Sequence, residues 1–312
     1  MSEISISPLN ERAKDSPCEL ISESESRYKS FISDTANRIA KDGRIRLVLL
    51  AGPSGSGKTT TANMLADALS SLGFEAMVIS LDDFYRNATD PEYPRLSDGE
   101  RDYESPYALD LPAIERTLTA ITDGKEFSVP KYDFKVAART SSAIHAPISH
   151  GCVIIEGLHA LNPLIFSALP TDRMLRIFIS VSTNLCDDGG ERVISGRKLR
   201  FVRRMVRDSI YRAADAERTL DMWANVLLGE DKFLYPFRDN ADISFDTFHP
   251  FEFGVMSEFV LELISEELAG ENSYAAEVRC AAKLAYPIDE SLVPETSLIR
   301  EFIPGGIYEH KY

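Results

Sequence analysis

Residues Gly52-Pro53-Ser54-Gly55-Ser56-Gly57-Lys58-Thr59 stand between an apolar run, Ile45–Ala51, and a helical pattern, Thr59–Leu72, that stops at Gly73. The spacing of glycines, lysine and hydroxyl satisfies G-x-x-x-x-G-K-[ST], the signature of a phosphate-binding P-loop. Such a loop demands a buried strand before it and a helix start behind it, which commits this part of the chain to an α/β fold. Its glycines let the backbone curl and turn N–H groups toward phosphate oxygens. The helix N-terminus adds a favourable dipole. The expected cradle runs from Gly52 through Pro53, Ser54, Gly55, Ser56, Gly57, Lys58 and Thr59 to Thr60. Lys58 can reach the β- and γ-phosphates, and the Thr59 hydroxyl can hold Mg²⁺.

Strand and helix patterns alternate beyond this point. Strands are expected at Ile45–Ala51, Ala76–Leu81, Cys152–Ile155, Leu175–Val181 and Ala241–Phe245. Their continuous apolar character suits parallel strands covered on both faces. Helices are expected at Thr59–Leu72, Leu111–Thr122, Arg197–Arg212 and Ala216–Gly229. The P-loop, Asp82–Asp83 and Glu156 then lie at the C-terminal ends of strands, where open α/β sheets put their ligands.

The pattern predicts a main body over 44–250, with insertions at 90–110 and 127–145. The first insertion carries three prolines and reads as an irregular loop, and the second reads as a hairpin outside the main sheet. Residues 1–43 read as an acidic, mobile leader to about Ser26, followed by a helix over Tyr28–Ile39. Residues 251–312 form an extension with helices at Met256–Leu268 and Tyr274–Ala285, then a Pro-punctuated tail, Pro287–Tyr312.

Composition narrows the function. A net charge of −15 argues against a nucleic-acid partner, which needs a basic footprint. No apolar run reaches membrane-spanning length, and Met1–Lys14 lacks the pattern of a secretion signal, so a cytoplasmic protein without a membrane partner is expected. The four cysteines show no metal-ligand spacing, and Cys152 reads as a buried small hydrophobe.

Three groups carry chemistry. Asp82 or Asp83 can take a proton from an attacking hydroxyl or hold Mg²⁺. Adjacent residues there point to opposite sides, so one of the two faces the nucleotide. Phe84 and Tyr85 offer a wall for an acceptor. Glu156, emerging from Cys152–Ile155, is placed to contact Mg²⁺ or its water, whereas His159 reads as structural. Between Arg192 and Arg212 there are eight Lys or Arg residues against one acid, Asp208. The anionic oxygens of ATP want such a cluster. A solvated basic face and an RNA-binding patch are the competing readings of that helix.

Five ordered motifs resemble the uridine kinase and phosphoribulokinase family of P-loop kinases. They are Gly52–Thr59, Ser80-Leu81-Asp82-Asp83-Phe84-Tyr85, Pro130-Lys131-Tyr132-Asp133-Phe134, Glu156-Gly157 and Arg203-Arg204-Met205-Val206-Arg207-Asp208. The resemblance spans about Arg44 to Asp246. It implies a three-layer P-loop fold with a mostly parallel five-stranded sheet, an inserted acceptor hairpin, an arginine-rich lid over 192–215 and a C-terminal helical extension. It further implies that Asp82 is the catalytic base, that Tyr132 and Phe134 line the nucleoside pocket, and that Glu156 attends the metal. Arg203, Arg204, Arg207 and Arg212 would grip phosphates, and Glu104 would meet ribose hydroxyls. Arg139 is a further cation near the acceptor.

Two departures bear on the acceptor. Ala137 stands where better-known uridine kinases carry a pyrimidine-reading His, and Tyr211-Arg212-Ala213-Ala214 replaces the usual Glu-Arg-Gly-Arg. The expectation is transfer of the ATP γ-phosphoryl group, with Mg²⁺, to the 5′-OH of a ribonucleoside. A sugar, sugar phosphate or pantothenate-like acceptor is the alternative, and a nucleotide-dependent regulatory binding module is a further one. Resembling kinases often assemble, so a homo-oligomer is an option.

Overall fold

A computed structural model describes residues 2–308. Met1 of the expected leader and the last four residues of the expected tail lie outside the described residues. In chain order the elements open with β1 (Glu3–Ser5), α1 (Ile6–Asp15), α2 (Pro17–Lys41), β2 (Leu47–Ala51), α3 (Lys58–Ser71) and β3 (Glu75–Ser80). Next come α4 (Leu111–Thr122), β4 (Phe127–Asp133), β5 (Ala138–His145), β6 (Gly151–Glu156), α5 (Pro163–Phe166), β7 (Met174–Ser180), β8 (Asn184–Cys186) and β9 (Arg192–Ile194). The chain continues with α6 (Gly196–Arg212), α7 (Ala216–Phe233), β10 (Ile243–Asp246), α8 (Glu252–Leu263), α9 (Glu266–Glu271) and α10 (Ser273–Ala282).

Five strands form a wholly parallel sheet in the order β10-β7-β2-β6-β3. β2, β6 and β7 are apolar along almost their whole length and buried, as strands covered on both faces require. The P-loop strand β2 lies at the centre, and the strands that follow it fill first one side and then the other. The crevice outside its C-terminal end is therefore the topological switch point. In register, Leu50 and Ser80 both pair with Glu156, so the ends of β2, β6 and β3 finish side by side. β4 and β5 form the separate antiparallel hairpin expected at 127–145.

The mobile leader is corrected. Residues 6–15 and 17–41 are helices, the first burying Ile6 and Ala13 and the second a stripe of Leu20, Ile21, Tyr28, Ile32, Ala36 and Ile39. Pro17 opens α2 at its first turn, where a missing N–H costs nothing. Residues 3–5 also pair with β8, in a small sheet with β9 that the sequence pattern did not suggest. The expected helix over Met256–Leu268 instead breaks after Leu263, and α9 begins behind the Ser265 cap. Among the described residues no helix is long and apolar enough to cross a membrane.

Candidate active site

The P-loop is built by outside side chains holding its backbone. Gly57 has φ +88°, a left-handed conformation that glycine adopts without strain, and it caps the start of α3. Lys58 folds back over the loop, its Nζ donating to Pro53 O at 3.2 Å. Arg200 Nη1 donates to Ser54 O at 2.9 Å, and the Ser54 N–H donates to Glu230 at 2.9 Å. Arg203 Nη1 donates to Gly55 O at 3.1 Å, and Thr247 Oγ1 to Ser56 O at 2.9 Å. Three amides of the expected cradle are already engaged, that of Ser54 by Glu230, that of Ser56 by Pro53 O at 3.2 Å and that of Thr60 by Glu301.

The arginine helix α6 is docked, with Leu199 to Asp208 buried. Arg200 and Arg203 are fully buried. Arg203 donates from Nε to Glu252 at 2.5 Å and from Nη2 to Thr247 O at 2.7 Å, besides its bond to Gly55. The expectation that Arg203 contacts the phosphates is therefore corrected: its donors hold the loop and Glu252. Arg204, Arg207 and Arg212 instead gather around Asp208, each with a nitrogen 3.0–3.3 Å from its carboxylate. Arg204 also donates to the Ser54 hydroxyl at 2.9 Å. Three guanidinium groups around one carboxylate leave a net positive charge beside the loop. Burial lowers the Arg204 pKa, with Asp208 opposing that shift.

Asp82 and Asp83 diverge, in a short 3₁₀ turn after β3. Asp83 is buried and anchors the hairpin, accepting from Lys131 Nζ at 3.0 Å and weakly from the Tyr132 N–H at 3.5 Å. Asp82 is exposed to solvent at the edge of the crevice. The loss of surrounding water raises its carboxyl pKa, opposed by Lys58, Arg212 and Arg207 and reinforced by Asp83. Glu156 is buried, and its pKa is raised to about 7, first by desolvation and then by the charge of Asp82. Glu104 is likewise raised to about 7 by loss of water, with Arg204 opposing and Glu230 and Asp82 reinforcing. α7 passes close by at Gly229, where a Cβ would fall 2.3 Å from that of Glu104. His159 is buried and pushed down to about 4, so it is neutral.

Beside Asp82 the aromatic rings of the hairpin meet those of the proline-rich loop. Tyr85 lies 5.6 Å from Tyr132 and 5.8 Å from Phe134, centroid to centroid, and its hydroxyl donates to Tyr103 O at 2.9 Å. Tyr93 packs edge-on to Tyr103 at 5.7 Å. The buried hydroxyls of Tyr93 and Tyr132 have no hydrogen-bond partner among the described residues. Tyr93, and Arg101, whose Nη1 donates to the Tyr103 hydroxyl at 3.4 Å, escaped the sequence reading because no motif marks them. Their one signal was the density of Tyr and Arg within an otherwise irregular loop.

Two expected acceptor residues are corrected. Phe84 is 1% exposed and packs in the core with Leu49, Ile114 and Val129, so it is no wall for a ligand. Arg139 donates to Tyr85 O, Phe84 O and Asp110, which makes it a staple between the hairpin and the 82–110 segment.

Residues 47–187 match the model of the phosphoribulokinase / uridine kinase family. The uridine kinase of Lactobacillus helveticus is 30% identical over 203 residues, covering 63% of this chain and 84% of that protein. The uridine kinase of Schizosaccharomyces pombe is 28% identical over 200 residues, and the chain spans only 37% of its length. Among solved structures, a putative fructose transport system kinase from Silicibacter is similar with a TM-score of 0.49 and 20% identity, over 69% of this chain and 98% of that one. The chain belongs to the phosphoribulokinase / uridine kinase family and is an ATP-dependent P-loop kinase of small molecules.

Proposed function

We propose that this enzyme transfers the γ-phosphoryl group of ATP to the 5′-hydroxyl of a ribonucleoside. The observation that carries the reading is the position of Asp82, within electrostatic reach of both Lys58 of the phosphate cradle and Tyr85 of the aromatic cluster. An acceptor with a flat base would stack among Tyr85, Tyr132 and Phe134, with its hydroxyl turned toward Asp82. In transfer, the hydroxyl oxygen bonds to the γ-phosphorus as the bond to the β–γ bridging oxygen breaks. ADP leaves with that electron pair, and Asp82 receives the hydroxyl proton. Lys58, Arg204, Arg207 and Arg212 stabilise charge on the phosphoryl oxygens.

The donor set fits Mg²⁺. Thr59, Glu156 and Asp82 would hold it, with phosphate oxygens and water completing the shell, because this ion needs few protein carboxylates. Among the described residues no group of three or more His, Cys, Asp or Glu could hold a metal ion by itself. When bound, the ion neutralises charge on the β- and γ-oxygens. In the same reading residues 44–250 are the catalytic body, and the described residues of 1–43 and 251–312 wrap it.

A phosphorylated acceptor is the weaker reading, because Lys131 and Arg139 near the aromatic cluster are engaged by Asp83 and Asp110. The test is a panel of nucleosides, sugars and sugar phosphates offered with ATP, scored by ADP release and product mass. Ribonucleosides phosphorylated at the 5′ position support the reading. Turnover confined to sugars or sugar phosphates overturns it.

A further inference from the structure

The C-terminal turn reaches the phosphate cradle from outside the residues that the family model matches. Ser297, Leu298, Ile299, Phe302 and Ile303 are buried there, and the Ser297 hydroxyl donates to Glu25 of α2 at 2.5 Å. Leu298 presses on the loop itself: a Cβ at Gly57 would lie 2.6 Å from its Cδ1. The Phe302 ring faces the Arg203 guanidinium at 5.1 Å, and Arg203 holds Gly55 O. Between these contacts sits Glu301, only 6% exposed, whose carboxylate accepts the Thr60 N–H at 3.1 Å.

That amide lies in the first turn of α3, where N–H groups have no intrahelical acceptor. Directly behind a P-loop, such groups are donors for the nucleotide's phosphates. The carboxylate and a phosphate oxygen are both anionic acceptors for one N–H. Glu301 also adds its negative charge to that of Asp82 around Glu156.

We propose that Glu301 is an internal occupant of the phosphate cradle, displaced from Thr60 by ATP, and so a residue that sets affinity for the phosphate donor. Without nucleotide the carboxylate satisfies a buried N–H that would otherwise be costly. With nucleotide, a phosphate oxygen takes the same donor, and the withdrawn carboxylate repels the triphosphate. The inference needs only the ATP-dependent kinase activity and is independent of the acceptor proposed above.

Glu301→Gln keeps an oxygen for the Thr60 N–H and removes the charge. By calorimetry, its Kd for ATP and for inorganic pyrophosphate should fall about 3- to 10-fold, the effect of one anion near a helix N-terminus. The gain with pyrophosphate separates charge competition from any effect on the nucleoside half of the ligand. Unchanged or weaker binding of both probes by the folded variant overturns the proposal, and a lowered melting temperature with no gain in affinity does the same. Should the variant not fold, a crystal structure of the parent enzyme with ADP decides. A phosphate oxygen on the Thr60 N–H with Glu301 withdrawn supports the proposal. Glu301 still bonded to Thr60 with ADP in the cradle overturns it.

Discussion

Arg200 and Glu230 form a fully buried, two-pronged ion pair, with Nη1–Oε1 at 2.7 Å and Nη2–Oε2 at 2.8 Å. Each partner also grips Ser54 of the P-loop, Arg200 through its carbonyl and Glu230 through its N–H. A helix that reads as a phosphate-gripping lid therefore supplies part of the frame of the phosphate loop.

Breaking that pair should unfold the enzyme before it alters the chemistry. Glu230→Ala leaves a guanidinium buried without its partner, a loss of about 3–5 kcal/mol. Denaturant unfolding measures it. A loss below about 1 kcal/mol would show that water or rearrangement replaces the carboxylate.

Asp82→Asn should lower kcat by about 10²- to 10⁴-fold, the usual size of general-base catalysis, with ATP affinity largely kept. Asp83→Asn should behave differently, weakening the hairpin anchor at Lys131 and raising the acceptor KM more than it lowers kcat. Steady-state kinetics on both variants separates the roles. Equal loss of kcat in the two would contradict the division.

The raised pKa of Glu156 predicts a dependence of stability on pH. The folded chain keeps a proton at about pH 7 on a carboxyl whose ordinary pKa is 4.5. This contribution to stability is complete below about pH 4.5, declines as the pH rises, and is lost above about 7. Unfolding midpoints measured from pH 5 to 8 should therefore fall less steeply in Glu156→Gln than in the parent. Identical slopes would refute the assignment.

Tyr93→Phe removes a buried hydroxyl that has no partner among the described residues. Stability should hold or rise by up to about 1 kcal/mol, because an unsatisfied polar group is lost. If the hydroxyl meets the acceptor, acceptor KM rises while ATP KM stays constant. A melting temperature several degrees lower would instead reveal a structural bond.

The sequence by itself determined the parallel α/β body, the loop and the strand-end acids. Glycine spacing, apolar runs and the period of a helix are local properties, and each writes its own geometry into the chain. Asp82 and Glu156 could be located because residues that end parallel strands must share one edge. The division of the arginines was not legible, since spacing along α6 records which residues are neighbours and not which ones meet Glu230, Glu252 or Asp208. Phe84 had the same ambiguity, as an aromatic beside a site residue can face the ligand or the core. The tertiary structure alone decided that Tyr28 of α2 meets Thr61 of α3, that residues 297–303 press on the loop and that Glu301 reaches Thr60. The contacts of Leu298 and Glu301 join residues more than two hundred positions apart, and only the closing of the fold brings them together.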